Sequence, residues 1–347
     1  MTSWFPFPAG ASATPQRDSP MLLKTLVLVA ALLCATPLHA YDPLTYPAVI
    51  PPEPRDLAVQ DATREREIPL RVYLPGKSGA APVVLFSHGL GGTRKGSAFL
   101  GKHWAARGYV AVFLQHPGSD DSVWRDKPPA ERFAALSEAA SLGNFLARVR
   151  DVSAVLDQLE KWNGESGHEL AGRLDLKRIG MSGHSFGAVT TQAVSGQKFS
   201  AGAAMTDPRI KAAIAFSPSK PAVGDVATAF GSVAIPWLLM TGTEDVARLG
   251  SRTIGPADVA SRLAVFPALP AGDKYELVLE GADHFAFTDR GEFAGESPRN
   301  PNHYRVILAL STAFWDAFLR DDAAAKTWLN SESPRQLMEE KDRWQRK

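Results

Sequence analysis

Short apolar runs alternate along the chain with longer stretches in which apolar residues recur at helical spacing. Near the start, the runs at 57–60 and 68–74 are joined by a charged turn, a pattern that predicts an antiparallel hairpin at a sheet edge. The next runs, 83–87 and 109–114, are apolar throughout. Continuous apolar runs of this length are typical of strands buried on both faces of a parallel sheet.

Further strands and helices continue this alternation to about residue 319. The predicted strands are 178–181, 210–216, 235–241 and 275–279, and the predicted helices are 97–107, several within 130–162, 188–195 and 303–319. Strands that alternate with helices in this way specify a mostly parallel sheet with helices on both faces, an α/β fold. The charged run 339–347 is predicted to be a solvated helical tail.

The first 40 residues have a different character. Residues 1–20 are rich in Pro, Ala, Ser and Thr, and Met21 then begins a segment with Lys24, an apolar core at 25–34 and a small-residue end at Ala40. This order is typical of a secretory signal peptide cleaved after Ala40. We expect translation to start at Met21 and residues 41–347 to form one secreted or periplasmic α/β domain. The alternative is a single-span anchor, although the apolar run is shorter than the roughly 20 residues that a span needs.

Charge and cysteine content exclude several classes of function. The chain has 38 basic and 37 acidic residues. Without residues 1–40, it is formally neutral and has no basic block interleaved with aromatic residues, so nucleic acid is not an expected partner. Cys34, the only cysteine, lies in the predicted signal, which leaves no disulfide, thiol nucleophile or cysteine metal site. We predict no cofactor and no metal site, because the histidines outside the motifs below have no partner at metal-ligand spacing.

A G-x-S-x-G pentapeptide, Gly183-His184-Ser185-Phe186-Gly187, follows the predicted strand 178–181. In this position the pentapeptide is typical of a nucleophile elbow, a tight turn that holds a serine at the end of a strand. Glycines two residues before and after the serine avoid a side-chain collision in that turn. Ser185 is therefore the predicted nucleophile.

A serine becomes a nucleophile when a histidine takes its proton and a carboxylate orients that histidine. In serine hydrolases with such an elbow, the acid and then the base follow the serine along the chain, each after a later strand. Asp245 follows the strand 236–241, and His284 follows the strand 277–279. We predict Asp245 as the acid and His284 as the base. Glu244 and Asp225 are the alternatives for the acid.

The negative charge that develops on the substrate carbonyl oxygen requires hydrogen-bond donors. The expected donors are the backbone N–H groups of Phe186 and of Leu90, which lies in a glycine-rich loop after the strand 83–87. In that loop Gly89 allows the backbone to approach the substrate.

Other residues near these motifs are candidate substrate contacts. His88 and His184 flank the proposed reactive centre, and the alternative for each is a local hydrogen bond that shapes its loop. Trp124 and Phe285 are candidates for the acyl pocket, with core packing or an exposed aromatic as the alternative. Residues 117–145 are a candidate cover for the cleft.

Two motifs carry a family resemblance. The sequence 86–91, Phe-Ser-His-Gly-Leu-Gly, together with the pentapeptide 183–187, resembles the dienelactone-hydrolase-like branch of the α/β-hydrolase superfamily. Within that branch it is similar to the lipoprotein-associated platelet-activating-factor acetylhydrolases and to bacterial serine esterases. The resemblance extends from about Leu57 to Leu319 and implies an α/β-hydrolase fold.

The chain departs from this branch at two positions. Dienelactone hydrolases use a cysteine where this chain has Ser185, so the resemblance implies serine-dependent ester hydrolysis rather than lactone specificity. The acetylhydrolases have their acid after an earlier strand, where this chain has Ser217. Asp245 instead matches the acid position of bacterial esterases and polyester hydrolases.

These observations predict an exported serine hydrolase that cleaves carboxylic esters through an acyl-enzyme. Short or medium acyl chains are favoured, because no large apolar insertion suggests a lipase lid. The alternatives are phospholipid acyl hydrolysis of the acetylhydrolase kind, lipid degradation being the broader class, and polyester hydrolysis. A catalytically silent binding protein on the same fold is the non-enzyme alternative.

Overall fold

The computed structural model describes residues 41–46, 49–199, 205–249, 252–253, 258–289 and 300–347. The predicted signal peptide and the sequence before it, residues 1–40, lie outside these described residues. Tyr41–Lys347 form one compact unit. Within the described ranges, no helix is both long enough and apolar enough to cross a membrane.

The described residues contain a large mixed sheet and a small two-stranded one. The strands are β1 (Arg55–Asp61), β2 (Arg66–Tyr73), β3 (Ala81–Ser87), β4 (Val110–Leu114), β5 (Leu174–His184), β6 (Ile210–Phe216), β7 (Trp237–Glu244), β8 (Arg248–Leu249), β9 (Arg252–Thr253), β10 (Lys274–Asp283) and β11 (Arg343–Arg346). The large sheet has nine strands among the described residues, in the order β1-β2-β4-β3-β5-β6-β7-β10-β11. β8 and β9 pair with each other.

Helices connect most of these strands. They are α1 (Ala98–Ala106), α2 (Pro129–Ala139), α3 (Leu142–Gly164), α4 (Phe186–Val194), α5 (Val226–Phe230), α6 (Val259–Leu263), α7 (Val265–Ala268), α8 (Pro301–Leu319) and α9 (Ala323–Leu329), with short 3-10 helices at Asp121–Val123 and Pro334–Leu337. The helix-rich stretch 130–162 is thus two helices, separated at Ser141, whose hydroxyl caps α3.

The predicted edge hairpin and parallel sheet are confirmed. β1 and β2 pair antiparallel, as do β2 and β4. The neighbours β4, β3, β5, β6, β7 and β10 are all parallel. This mostly parallel sheet with helices and an antiparallel edge pair is the α/β-hydrolase fold that the sequence predicts.

Two hydrophobic layers enclose the sheet, because successive side chains of a strand point to opposite faces. In β3, Val84 and Phe86 pack in the same cluster as Trp104 of α1 and Trp315 of α8. Val83 and Leu85 pack in a second cluster that contains apolar residues of α3 and the end of α4. Both faces of the central strands are therefore buried away from water. This burial explains why the sequences of these strands are continuous apolar runs.

The prediction of a helical tail at 339–347 is wrong. Arg343–Arg346 form β11, antiparallel to β10, with Val278 opposite Arg343 and Tyr275 opposite Arg346. The Trp344 ring stacks on Tyr275 with centroids 5.5 Å apart. The edge of β10 offers unpaired backbone groups to this segment. The segment takes up those hydrogen bonds and half-buries the ring of Trp344, while the side chains of Arg343 and Arg346 stay exposed.

The carboxyl ends of the parallel strands meet along one rim of the sheet, the usual place for an active site in this class of fold. The loops after β3, β5, β7 and β10 all leave the sheet at this rim.

Candidate active site

The turn between β5 and α4 has the geometry of a nucleophile elbow. Ser185 lies there with φ 56° and ψ −114°, a conformation that is strained for a residue with a side chain. A Cβ on Gly187 would lie 1.9 Å from the carbonyl oxygen of Ser87, and one on Gly183 would lie 2.3 Å from the oxygen of Gly187. The Ser185 amide donates to the carbonyl of Phe216 at 2.9 Å, which holds the turn against β6. Glycine is therefore required on both sides of this serine.

Three side chains predicted from the sequence lie in one hydrogen-bonded row. His284 Nε2 is 2.9 Å from Ser185 Oγ, and His284 Nδ1 is 2.6 Å from Asp245 Oδ1. Asp245 is completely buried and His284 is 5% exposed, whereas Ser185 is half-buried. The row forms because β7 and β10, which precede Asp245 and His284, are parallel neighbours.

The two alternative acids lie in other environments. Asp225 is the N-cap of α5, and its carboxylate accepts the amide of Thr228 at 2.7 Å. The Glu244 side chain is exposed at the end of β7. Of these three carboxylates, Asp245 is the one that contacts His284.

Two further residues surround the Asp245 carboxylate, and no sequence motif predicts either. The hydroxyl of Thr241 donates to Oδ2 at 2.8 Å. Arg262, on α6 and 1% exposed, places Nε 2.9 Å from Oδ1 and donates to the backbone carbonyl of Asp245 at 2.8 Å. Arg262 also donates to the carbonyl of Ser217 at 2.8 Å. No motif spacing links these positions, so only the folded chain reveals them.

The electrostatics of the row favour a charged Asp245 and a neutral His284. Burial opposes ionisation of Asp245, but the charges of His284 and Arg262 and the hydrogen bond from His284 outweigh it and hold the pKa of Asp245 well below its usual range. Burial lowers the pKa of His284; Asp245 opposes this shift and Arg262 adds to it. A neutral imidazole that donates from Nδ1 to the carboxylate leaves Nε2 free to accept the Ser185 proton.

His184 is buried against the backbone and ring of His284. It is 5% exposed, its Nε2–H donates to the backbone carbonyl of His284 at 2.8 Å, and the two rings lie 4.6 Å apart. Burial and the neighbouring charge of His284 lower the pKa of His184 to about 3, so this ring stays neutral. Phe285 is half-buried, with its ring edge-on to His284 at 5.7 Å.

The two expected oxyanion donors lie next to the serine. Phe186 is the first residue of α4, where helix N–H groups are unpaired and the helix dipole favours negative charge. A Cβ on Gly89 would lie 3.4 Å from the Cβ of Ser185, so the loop that carries Leu90 passes directly beside this serine. In the described part of the chain, neither the Leu90 nor the Phe186 amide donates to another protein group.

The segment 117–145 packs against this glycine-rich loop. The half-buried Trp124 donates its indole N–H to the carbonyl of Gly91 at 2.8 Å. The Gly91 amide donates to the carbonyl of Ser119, and the Asp121 amide to that of Gly92, at 2.9 and 3.0 Å. Trp124 is therefore a support of the loop as well as a candidate pocket residue.

A second Ser-His-Asp row lies beneath the loop, and no sequence motif predicts it. His116 Nε2 is 2.9 Å from Ser87 Oγ, and His116 Nδ1 is 2.9 Å from Asp151 Oδ2. All three side chains are completely buried, and Ser87 belongs to the extended strand β3 rather than to a strained turn. No substrate reaches such a serine, so this row is structural. Within the described residues, no group of three or more His, Cys, Asp or Glu could hold a metal ion.

Comparison with known proteins identifies the family of this chain. The family described as PET hydrolase-like (PETase) matches residues 71–297, well over half of the chain. Cutinase cut1 of Thermobifida fusca is 25% identical over 338 residues, which cover 90% of this chain and 86% of the relative. Cutinase 2 of Thermobifida cellulosilytica is 25% identical over 252 residues, 72% of this chain and 73% of the relative. The chain therefore belongs to the PET hydrolase-like family of α/β-hydrolases and is a carboxylic ester hydrolase.

Proposed function

We propose that this protein is an exported serine esterase in which Ser185 is the nucleophile and His284 the general base. Asp245 orients the imidazole of His284 and stabilises its protonated form. The observation that carries the proposal is the hydrogen-bonded row from Ser185 Oγ through both nitrogens of His284 to Asp245 Oδ1, at 2.9 and 2.6 Å. The strained elbow supports the same role for Ser185, because strain of this kind is concentrated at functional sites.

The reaction follows from the positions of these atoms. Ser185 Oγ attacks the ester carbonyl while His284 Nε2 takes the hydroxyl proton, and the amides of Leu90 and Phe186 bind the resulting oxyanion. His284 then gives its proton to the departing alcohol, which leaves an acyl group on Ser185. A water molecule, deprotonated by His284, attacks the acyl carbonyl; the bond to Ser185 Oγ breaks, His284 returns the proton to that oxygen, and the acid is released. No step requires a cofactor.

Two substrate classes fit this chemistry. Esters with short or medium acyl chains are the first, and they need only the reactive row and the oxyanion donors. Polyesters are the second, because the matched family is named for PET hydrolysis and the curated relatives are cutinases. A polyester contains the same carboxylic ester, so one enzyme can accept both if the cleft admits a polymer chain.

Phospholipid acyl hydrolysis of the acetylhydrolase kind is a weaker proposal. It rests on the motifs 86–91 and 183–187 alone, and the acid after β7 departs from the acetylhydrolase pattern. A binding protein without activity is disfavoured, because the proposed nucleophile, base and acid lie within hydrogen-bonding distance of one another.

Hydrolysis of p-nitrophenyl esters from acetate to dodecanoate tests the proposal. We expect turnover that declines with acyl length, and a loss of more than about a thousandfold in Ser185→Ala. Ser195→Ala is the matched control, since this buried hydroxyl at the end of α4 only donates to the carbonyl of Thr191. Wild-type protein with neither ester turnover nor labelling by a fluorophosphonate would refute the proposal. Release of monomer from a polyester film, measured in parallel, separates the two substrate classes.

The same proposal includes export. We propose that residues 21–40 are removed as a signal peptide, so that the mature chain begins at Tyr41 as one catalytic domain. In support, Tyr41 begins the compact unit, and its hydroxyl donates to Asp316 at 2.7 Å. Mass spectrometry of protein collected outside the cytoplasm should find Tyr41 as the first residue. A retained, membrane-bound form that begins at Met21 would favour the single-span anchor instead.

A further inference from the structure

A buried arginine lies against the loop that carries the Leu90 donor. Arg148, on α3, has no exposed surface. Its Nη1 donates to the carbonyl of His88 at 2.7 Å, its Nε to the hydroxyl of Ser119 at 2.8 Å, and its Nη2 to the carbonyls of Ser119 and Gly89 at 3.2 and 3.4 Å. A buried guanidinium is costly unless its donors are satisfied. Here backbone carbonyls of the loop after β3, together with the hydroxyl and carbonyl of Ser119, satisfy them.

His88 holds the same loop from a second direction. The backbone amide of His116 donates to His88 Nε2 at 3.1 Å, so Nε2 carries no proton in this arrangement. The proton of the neutral ring is then on Nδ1, which donates to the carbonyl of Gly89 at 2.6 Å. Burial and the charge of Arg148 keep the pKa of His88 well below its ordinary value, in agreement with a neutral ring.

The direction of the Gly89 carbonyl determines the direction of the Leu90 amide. Both groups belong to one planar peptide unit, in which C=O and N–H point to opposite sides when the bond is trans. The Gly89 oxygen accepts from His88 Nδ1, from Arg148 Nη2 and from the amide of Gly92 at 3.0 Å. With this oxygen held on the side of α3, the Leu90 N–H faces away from α3.

Arg148 also contacts the other expected donor residue. The centre of its guanidinium lies 4.4 Å from the centroid of the Phe186 ring. A cation at this distance over an aromatic face is attracted by it. One buried side chain therefore contacts both Phe186 and the carbonyl oxygen of the peptide unit that supplies the Leu90 amide.

The region behind Arg148 compensates its charge. Burial lowers the pKa of Arg148 to about 9, and Asp151, one turn further along α3, opposes this shift and so favours the charged form. The Ser87-His116-Asp151 row ends beside Arg148, whose Nη1 is 3.4 Å from Ser87 Oγ. The Ser87-His116-Asp151 row thus helps to accommodate the buried charge of Arg148.

We propose that Arg148 and His88 are positioning residues of the oxyanion hole, which fix the Gly89–Leu90 peptide so that its N–H faces the substrate carbonyl oxygen. This inference rests on the proposed function, because it assigns these residues a role in the same serine chemistry. Arg148 has no exposed surface and His88 is 3% exposed, so we assign both a role that acts through the loop.

The first test compares Arg148→Met, which has a similar length without donors, with Arg148→Lys, which keeps the charge and one donor group. Loss of an oxyanion donor costs on the order of a hundredfold or more in rate. We expect a fall of about ten- to a hundredfold in kcat for the methionine variant, with little change in KM, and partial recovery in the lysine variant. Inhibition by a trifluoromethyl ketone, whose adduct places an oxyanion in the hole, should weaken by the same factor as kcat.

Asp316→Asn is the matched control for loss of stability. Asp316 is a buried carboxylate on α8 that joins Tyr41, Arg107 and Arg320 at 2.7–2.9 Å, remote from the loop after β3. This variant should lower the melting temperature without changing kcat or inhibition by the ketone. A methionine variant that behaves in the same way would show that Arg148 is only structural.

The second test compares two isosteres of neutral histidine and stays decisive if Arg148→Met does not fold. Asn at position 88 can keep a donor near the Nδ1 position, whereas Gln can keep an acceptor near the Nε2 position. We expect His88→Asn to retain more kcat and tighter ketone inhibition than His88→Gln, because the bond to the Gly89 carbonyl is the one that orients Leu90. Equal values, or the opposite order, would overturn the proposal. Ester turnover that survives in Ser185→Ala would instead overturn the proposed function, so the two failures are distinguishable.

Discussion

Replacement of the proposed acid by its amide tests the row most sharply, because the surroundings of Asp245 decide how the amide is oriented. In Asp245→Asn, one end of the side chain must become an NH₂ group. The Oδ1 position faces His284 Nδ1–H and the cationic Nε of Arg262, at 2.6 and 2.9 Å. The Oδ2 position faces the hydroxyl of Thr241, which can rotate so that its oxygen accepts a hydrogen bond from the NH₂ group. The asparagine therefore keeps its oxygen toward His284, and the base keeps its tautomer.

The expected loss is then mainly the loss of charge. An imidazolium and a carboxylate whose charges are roughly 4 Å apart interact by about 4 kcal/mol at an effective dielectric constant of about 20. Since about 1.4 kcal/mol corresponds to a tenfold change in rate, kcat should fall by about a thousandfold. Asp245→Ala should lose more, because it also frees the ring to rotate and to change tautomer.

Steady-state hydrolysis of p-nitrophenyl acetate measures these losses, with Glu244→Gln and Asp225→Asn as controls that remove neighbouring carboxylates. We expect both controls to retain kcat within about threefold, as is usual for surface changes remote from the chemistry. The acid limb of kcat/KM should move to lower pH in Asp245→Asn, since the carboxylate raises the pKa of His284. A loss below tenfold in Asp245→Asn, or an equal loss in Glu244→Gln, would refute this assignment of the acid.

Three further predictions concern the base, the elbow and the edge of the sheet. Because burial holds the pKa of His284 below the ordinary 6.5, the base stays neutral at that pH and is lost only as the pH falls further; a pH profile of kcat/KM with its half-maximum at pH 7 or above would contradict this. Gly187→Ala places a Cβ 1.9 Å from the Ser87 oxygen, so we expect fluorophosphonate labelling to slow by more than about a hundredfold and the melting temperature to fall, whereas Gly164→Ala, with open space at its Cβ, should change neither. Burial raises the pKa of Glu276 to about 7 from 4.5, so the folded state loses stability as the pH rises from 4.5 through 7. Glu276→Gln should therefore stabilise the protein by on the order of 1–3 kcal/mol at pH 8 and by little at pH 4. Urea unfolding at the two pH values measures this gain. An equal gain in the free energy of unfolding at both pH values would show that the buried carboxyl charge is not the cause.

Local patterns in the sequence were sufficient for the architecture of the central sheet. Buried parallel strands need apolar side chains on both faces, so each left a continuous run, and the helices left their own periodicity. The ends of these runs located the loops after β3, β5, β7 and β10. Ser185, Asp245 and His284 could be predicted because each follows one of those runs in the order that the fold requires.

The tail shows where local pattern was insufficient. The run 339–347 is charged and has no alternation strong enough to indicate a strand, and it pairs with β10 because that edge is open and Tyr275 offers an aromatic face to Trp344. Strand formation there depends on a partner more than 60 residues earlier in the chain, which no window of local sequence contains.

The sequence by itself determined the order of strands and helices, the elbow at Ser185 and the order of acid and base, because these depend on steric rules that act over a few residues. Only the tertiary structure decided which groups surround them. Arg262 reaches Asp245 across 17 residues of chain, and Arg148 reaches the carbonyl of His88 across 60. Such contacts depend on how distant helices pack against the sheet, and a buried arginine has no spacing rule that marks its partner. The proposed reactive groups could thus be predicted from the sequence, whereas the buried arginines beside them could be identified only in the fold.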